Sequence, residues 1–320
     1  MRALIIGCGY VGLPLAVELA RGGHEVYGVC RSLERFKEIT RAGVNPIRTD
    51  ITGPTALEAV EPAFDWIFNT VSSSKGDLDD YEAVYLDGTR RILEWLKRGS
   101  PPPAEDIAPG APSLRAIPAL RRYVYTSSTS VYAQTDGSVV TEESPAEPQS
   151  ATSRVLVKTE ELLRTAAQQE GFPAVILRVG GIYGPERGHL FQQYLRGAAR
   201  LAGDGNQVIN MIHRDDVVRA ILSALERGAP GETYNVVDNE PVTQLKFFQW
   251  LSDQLAMPMP ATANEAETAN RKRGITNKRV SNRKLRLALR CELKYPTFRQ
   301  GYAAEIAGLK AAGNRSASGK

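Results

Sequence analysis

Short apolar runs alternate with amphipathic stretches through the first third of the chain. Residues 3–6 are uniformly apolar, the pattern of a strand covered on both faces. In residues 13–21, Leu15 and Leu19 share one helical face, and Gly22 and Gly23 stop the helix. Residues 25–29 predict a second strand, Ser32 caps a helix running to about Arg41, and 44–47 and 65–71 predict two more strands. A long helical pattern covers 78–97. The alternation resumes with a strand at 122–126, a helix at 152–170 and a strand at 174–179. Beyond Tyr183 it loosens, with helices predicted over 192–201, 215–226 and 244–255.

Strand–helix alternation at this spacing predicts an α/β fold: a Rossmann-type doubly wound parallel sheet with right-handed crossovers and a small C-terminal substrate-binding region. The expected organisation is a dinucleotide-binding domain over 1–182, interrupted by a Pro-rich insertion at 99–118. A smaller substrate region follows over 183–311, with 208–237 returning to the first domain. Residues 261–277 read as polar and mobile, and 312–320 as a disordered tail.

Composition removes several classes. The 320 residues are 42% hydrophobic and 24% charged, an ordinary globular balance. A net charge of +4, from 40 basic and 36 acidic residues, is too even to argue for a nucleic-acid partner. Cys8, Cys30 and Cys291, with His24, His189 and His213, lack metal-ligand or disulfide spacing, so no metal is expected and reduced thiols suit a cytoplasmic protein. Arg2 followed by the uncharged stretch 3–17 mimics a signal peptide. That stretch is too short to span a bilayer and is broken by Gly7, Gly9, Gly12 and Pro14, so no membrane association is expected.

Those glycines carry the chemistry. Gly7-Cys8-Gly9-Tyr10-Val11-Gly12 is GxGxxG directly after a strand and opening a helix, the arrangement that seats a dinucleotide pyrophosphate on a helix N-terminus. Gly7, Cys8, Gly9, Tyr10, Val11, Gly12 and Thr70 are the expected contacts. The second strand ends Cys30-Arg31-Ser32, with cysteine where a carboxylate would hold the ribose 2′-hydroxyl of NAD. Arg31 and Ser32 instead suit the 2′-phosphate of NADP, and Glu34 keeps NAD as the alternative.

Further segments resemble the extended short-chain dehydrogenase/reductase superfamily, the nucleotide-sugar epimerases and dehydratases. Asp50-Ile51 resembles its adenine-contacting pair and Asp87-Gly88-Thr89 its NxxGT segment. Residues 125–132 resemble YxSSxxVYG, Leu177-Arg178 with Tyr183-Gly184-Pro185 resembles LRxxxxYGP, and 212–217 resembles IHVDDV, followed by the strand at Tyr234-Asn235-Val236. The YxxxK dyad is missing: Thr152 and Leu156 stand at its positions, and Lys158 is two residues out of register. Residues 152–156 and Lys278-Arg279-Val280-Ser281-Asn282 resemble an atypical subgroup, similar to the bacterial YeeZ type.

The resemblance implies an NADP(H)-binding protein, an epimerase/dehydratase or reductase of a sugar or nucleotide-sugar-like substrate. It also implies a homodimer packed through 78–97 and 152–170. The alternative is a non-catalytic redox sensor or protein-interaction module that kept the cofactor site. Ser128 is expected to orient the substrate, and Arg178 and Arg214 to meet its anionic part. Tyr81, Tyr85, Tyr132, Tyr183 and Lys158 are the candidate acids, with none selected. His213 is expected to be structural, and Asp215 and Asp216 to cap the helix they open. The nine basic residues in 271–290 either grip a diphosphate or form a solvated face.

Overall fold

The computed structural model describes residues 1–98, 120–264 and 276–317. The expected Pro-rich insertion at 99–118 lies outside the described residues, as does most of the stretch 261–277. Seven parallel strands form the main sheet, in the order β11-β7-β5-β4-β1-β2-β3. Among the described residues thirteen strands are numbered: β1 Arg2–Ile6, β2 Glu25–Cys30, β3 Asn45–Arg48, β4 Trp66–Asn69, β5 Arg122–Ser128, β6 Val139–Val140 and β7 Ala174–Val179. The remainder are β8 Gly181–Tyr183, β9 Val208–Ile209, β10 Met211–His213, β11 Thr233–Val236, β12 Val242–Thr243 and β13 Arg279–Val280. β1 pairs in parallel with β2 (Ile6 opposite Val29) and with β4 (Ile6 opposite Asn69), so the order reverses beside β1. A crevice at such a switch point is where open α/β sheets take ligands.

The chain divides into two compact units. The first comprises Met1–Ser127, Ala151–Ile176 and Ala224–Glu232; the second comprises Ser128–Ser150, Leu177–Ser223 and Thr233–Lys320. Leu4, Ile6, Ile67, Ile92, Tyr123, Tyr125 and Leu163 belong to the core of the first. Its helices are α1 Gly12–Arg21, α2 Leu33–Arg41, α3 Leu78–Tyr81, α4 Gly88–Arg98 and α5 Ala151–Glu170. The uninterrupted helix expected over 78–97 is instead broken: a π-helical turn, Glu82–Asp87, joins α3 to α4. Apolar spacing over two turns does not register one wide turn.

The second unit holds α6 His189–Leu195, α8 Gln244–Leu255, the short helix Arg283–Ala288 and the C-terminal helix Phe298–Ala317; α7 Arg214–Arg227 begins in it. Tyr183, Phe191, Phe247, Phe248, Phe298 and Tyr302 make its aromatic core. The helix expected over 192–201 starts earlier and stops at Leu195, because Gly197 adopts φ +66° and turns the backbone out of the helix. The tail expected to be disordered from 312 is helical through Ala317, continuing the run Leu309-Lys310-Ala311-Ala312, whose residues favour helix. No helix among the described residues is long and apolar enough to cross a membrane.

Candidate dinucleotide site

In the first unit, β1 runs into the glycine turn and out into α1. Each glycine answers a different steric demand. Gly7 has φ +91°, and a Cβ there would lie 2.7 Å from the Val71 backbone nitrogen. A Cβ on Gly12 would lie 2.5 Å from the Gly7 carbonyl oxygen, so only glycine lets α1 start this close to the strand. Gly9 differs: its Cβ would meet nothing nearer than the Gly7 carbonyl, 3.9 Å away. Nothing in the protein demands glycine at that position; the space in front of it suits a ligand. Val11 precedes α1 without a side-chain cap, leaving the helix N-terminus for an anion. The turn therefore fits a pyrophosphate.

Thr70 sits behind the turn, its Oγ1 donating to the Gly7 carbonyl at 2.9 Å. Its hydroxyl fixes the turn. Cys8 is buried, with its N–H on the Val29 carbonyl at 3.0 Å, and burial pushes its thiol up to about 12. Tyr10 and Val11 are half-buried.

At the end of β2, Cys30 is buried, its Sγ 3.8 Å from the Ser32 carbonyl, and burial raises its pKa against the opposing pull of Arg35 and Arg48. Arg31 is exposed, and Arg48 Nε donates to its carbonyl at 3.4 Å. The guanidinium groups of Arg35 and Arg48 thus act on Cys30, where a carboxylate would bind a ribose diol, and Arg31 is next in the chain. Arg35 is paired with Glu38. Ser32 Oγ accepts the Arg35 N–H at 3.2 Å and caps α2. Asp50 is exposed, its Oδ1 accepting the N–H (3.0 Å) and hydroxyl (2.9 Å) of Thr52, while Ile51 is buried in the core.

Sequence reasoning missed a buried pair on the same side of the unit. Ser127 Oγ donates to Glu160 Oε1 at 2.6 Å, and Arg164 meets the other carboxylate oxygen at 3.3 Å. On α5, Leu156 is buried, Thr152 half-buried and Lys158 exposed, so the positions of the family dyad hold no acid–base pair.

Ser128, Tyr132, Arg178, Tyr183 and Arg214 belong to the second unit. Ser128 Oγ accepts the Ser130 N–H at 3.2 Å, capping the 3₁₀ turn Thr129–Val131. Arg178 is 3% exposed; it donates to the Tyr132 hydroxyl at 2.8 Å and lies over the Tyr132 ring. Tyr132 in turn donates to Asn235 Oδ1 at 2.8 Å. Both side chains are engaged in the unit's own interior. Arg214 donates to Asp215 Oδ1 through Nε (3.1 Å) and Nη2 (2.9 Å).

His213 Nδ1 accepts the Asp215 N–H at 3.1 Å, and burial pulls its pKa down to about 4, so the imidazole is neutral and structural. Asp216 does not cap α7. Its carboxylate takes the N–H groups of Lys294 (2.6 Å) and Tyr295 (2.9 Å), tying a distant loop to the helix start. Of the basic block, Lys278 is buried, with Nζ donating to the Tyr132 carbonyl at 2.8 Å. Among the described residues, no cluster of His, Cys, Asp or Glu could hold a metal ion.

The model of the NAD dependent epimerase/dehydratase family matches residues 3–237. Protein YeeZ of Escherichia coli K12 is 27% identical over 279 residues, covering 85% of this chain and 90% of that protein. The solved structure of a functionally unknown conserved protein from Silicibacter pomeroyi superposes with a TM-score of 0.71 at 25% identity, over 96% of this chain and 99% of that one. UDP-glucuronic acid 4-epimerase from Bacillus cereus, solved in complex with NAD, shares the fold with a TM-score of 0.75 at 21% identity, over 98% and 99% of the two chains. By the extent of the family match, and with a glycine turn built for a pyrophosphate, this chain belongs to the NAD dependent epimerase/dehydratase family.

Proposed function

We propose that the chain binds NADP(H) on the glycine turn and acts on a nucleotide sugar or related sugar, by hydride transfer in an epimerisation, dehydration or reduction. The open face at Gly9, in front of an uncapped helix, carries this reading. The nicotinamide, when bound, supplies a reversible hydride acceptor. The chain supplies the rest: Gly7, Gly9 and Gly12 admit the pyrophosphate, with Cys8, Tyr10 and Val11 in the same turn. Asp50 and Ile51 flank the adenine end, Thr70 fixes the turn, and Ser128 orients the substrate oxygen.

NADP rather than NAD is supported by Arg31, with Arg35 and Arg48 nearby, where NAD-binding relatives of this architecture use an acid. Three free cysteines support a cytoplasmic location. Nucleotide-sugar chemistry is supported by relatives such as the UDP-glucuronic acid 4-epimerase. In this reading Arg178 positions Tyr132, and Arg214, held against Asp215, meets the anionic part of the substrate. The absent dyad favours a second reading, a dinucleotide-binding module without turnover.

Calorimetric titration separates these. NADP(H) is expected to bind more tightly than NAD(H), and Arg31→Ala to lower NADP(H) affinity by about ten- to a hundredfold, the worth of one charge-assisted phosphate contact. Equal affinities in the unaltered chain overturn the NADP assignment. Turnover of a nucleotide sugar that is lost in Ser128→Ala supports the enzyme; tight binding without turnover on any carbonyl or nucleotide-sugar substrate supports the module.

A further inference from the structure

The geometry points to Tyr85 as the proton-transferring residue that takes the place of the missing tyrosine, delivered from the π-helical turn Glu82–Asp87 rather than from α5. This rests on the enzyme reading above. Five side chains were candidates, and their surroundings separate them. Lys158 is exposed on α5. Tyr132 is fully buried between Arg178 and Asn235. Tyr183 is 1% exposed and stacked on Tyr302 at 4.4 Å, and burial drives its phenol far above the range in which it exchanges protons near neutrality. Tyr81 and Tyr85 remain, both half-buried, with ring centroids 4.9 Å apart.

Three observations favour Tyr85 of that pair. Its hydroxyl oxygen accepts the Ser73 N–H at 3.2 Å. Ser73 follows Thr70 and Val71, the residues packed behind Gly7, so the phenol lies just past the carboxyl end of β4. Secondly, the Tyr125 phenol on β5, raised first by burial, is raised again by the Tyr85 phenol close to it. The Tyr85 hydroxyl is therefore past the end of β4 and near Tyr125 of β5, on the far side of β1 from β2 and β3. In a doubly wound sheet the adenosine lies over β2 and β3, which leaves this side for the nicotinamide. Thirdly, the π turn packs against α5, the helix whose first two turns carry Thr152 and Leu156 in place of the dyad.

The loop between them is built to hold still. Asp80 Oδ2 accepts the Ser73 hydroxyl (2.6 Å) and the N–H groups of Ser74 and Lys75 (both 2.8 Å), fixing the Ser73 N–H that faces Tyr85. An N–H aimed at a phenol oxygen favours the charge that oxygen carries once its proton has left. π turns of this kind recur at functional sites.

The step balances with the cofactor as the redox partner. In oxidation of a sugar alcohol, a bound oxidised nicotinamide would take the hydride, with both electrons, of the carbinol C–H bond. The O–H bond breaks as the carbonyl forms, and its proton passes to the Tyr85 phenolate. Reduction runs the same transfers backwards, with Tyr85 as the acid.

The test uses the full chain with carbon-13 ring-labelled tyrosine. One tyrosine resonance is expected to titrate at lower pH once oxidised NADP is added, because the cationic nicotinamide favours the phenolate, and to vanish in Tyr85→Phe. Tyr81→Phe is expected to retain it. Turnover in Tyr85→Phe is expected to fall about 10²- to 10⁴-fold with NADP affinity unchanged, the usual worth of general acid–base catalysis. If NADP and NAD both fail to bind the unaltered chain, the dinucleotide reading and this proposal fall together. If the cofactor binds and no tyrosine responds, or the responding resonance survives in Tyr85→Phe, the Tyr85 assignment alone is overturned. The resonance is read without substrate, so a Tyr85→Phe protein that melts early does not blunt the result.

Discussion

Lys278 carries its ammonium into the second unit, where it donates to the carbonyl of Tyr132. Burial pulls its pKa down from the ordinary 10.5 to about 8. Below pH 8 the folded and unfolded chains both hold the proton, and the cost of a buried charge is felt in full. Between pH 8 and 10.5 the unfolded chain binds more protons than the folded one, so stability rises with pH. The gain is on the order of 3 kcal/mol across that window. Urea unfolding from pH 7.5 to 10.5, steps of about half a unit being ample, is expected to give a rise that Lys278→Met abolishes; an equal rise in the variant would contradict the burial of a charged lysine. Lys278 also marks a limit of sequence reading. A lysine in a run of basic residues looks solvated, and nothing local signals that the fold closes over it. Arg178 hides in the same way, an arginine inside an apolar strand whose partner, Tyr132, lies 46 residues earlier. The glycine turn was legible because each glycine answers a local steric need that sequence order alone conveys.

Elements follow the same division. The strands of the first unit and helices α1, α2, α5 and α8 stand within a few residues of their expected positions, since a buried face imposes a period on the sequence. The π turn escapes such reading, because it adds one residue to one turn and leaves apolar spacing on either side intact. In the folded chain it is the turn Glu82–Asp87, beside which the Tyr81 and Tyr85 rings meet. The C-terminal helix holds a comparable detail. Gly301 faces the Tyr183 phenol, and a Cβ there would overlap its oxygen. Tyr183 is held by Tyr302 on one side and by the His213 ring, 5.4 Å away, on another, so it has little room to retreat. Gly301→Ala is expected to destabilise the protein by about 1–3 kcal/mol, as overpacking of a filled core does. Thermal melting checks this; an unchanged midpoint would mean that the aromatic stack yields freely.

For the molecule as a whole, the strand order places a reversal beside β1, where the glycine turn stands. The family match ends at residue 237, leaving the last 83 residues to the second unit, including the buried Lys278 and the helix that carries Gly301. Sheet and glycine turn were readable because they arise from local pattern and chain order. The acid–base group was not, because it depends on which of five side chains the fold brings past the end of β4. The central claim, that a nicotinamide dinucleotide sits on this turn, is tested most directly at Gly9. Its Cβ position is open, so Gly9→Val is expected to melt like the unaltered chain when no cofactor is present. With NADP(H) at 100 times the dissociation constant, the unaltered chain is expected to gain about 2.7 kcal/mol of stability. Gly9→Val is expected to gain little, its side chain standing where the pyrophosphate must approach. Equal stabilisation of both proteins by the cofactor, or none in the unaltered chain with NADP(H) or NAD(H), would contradict the account.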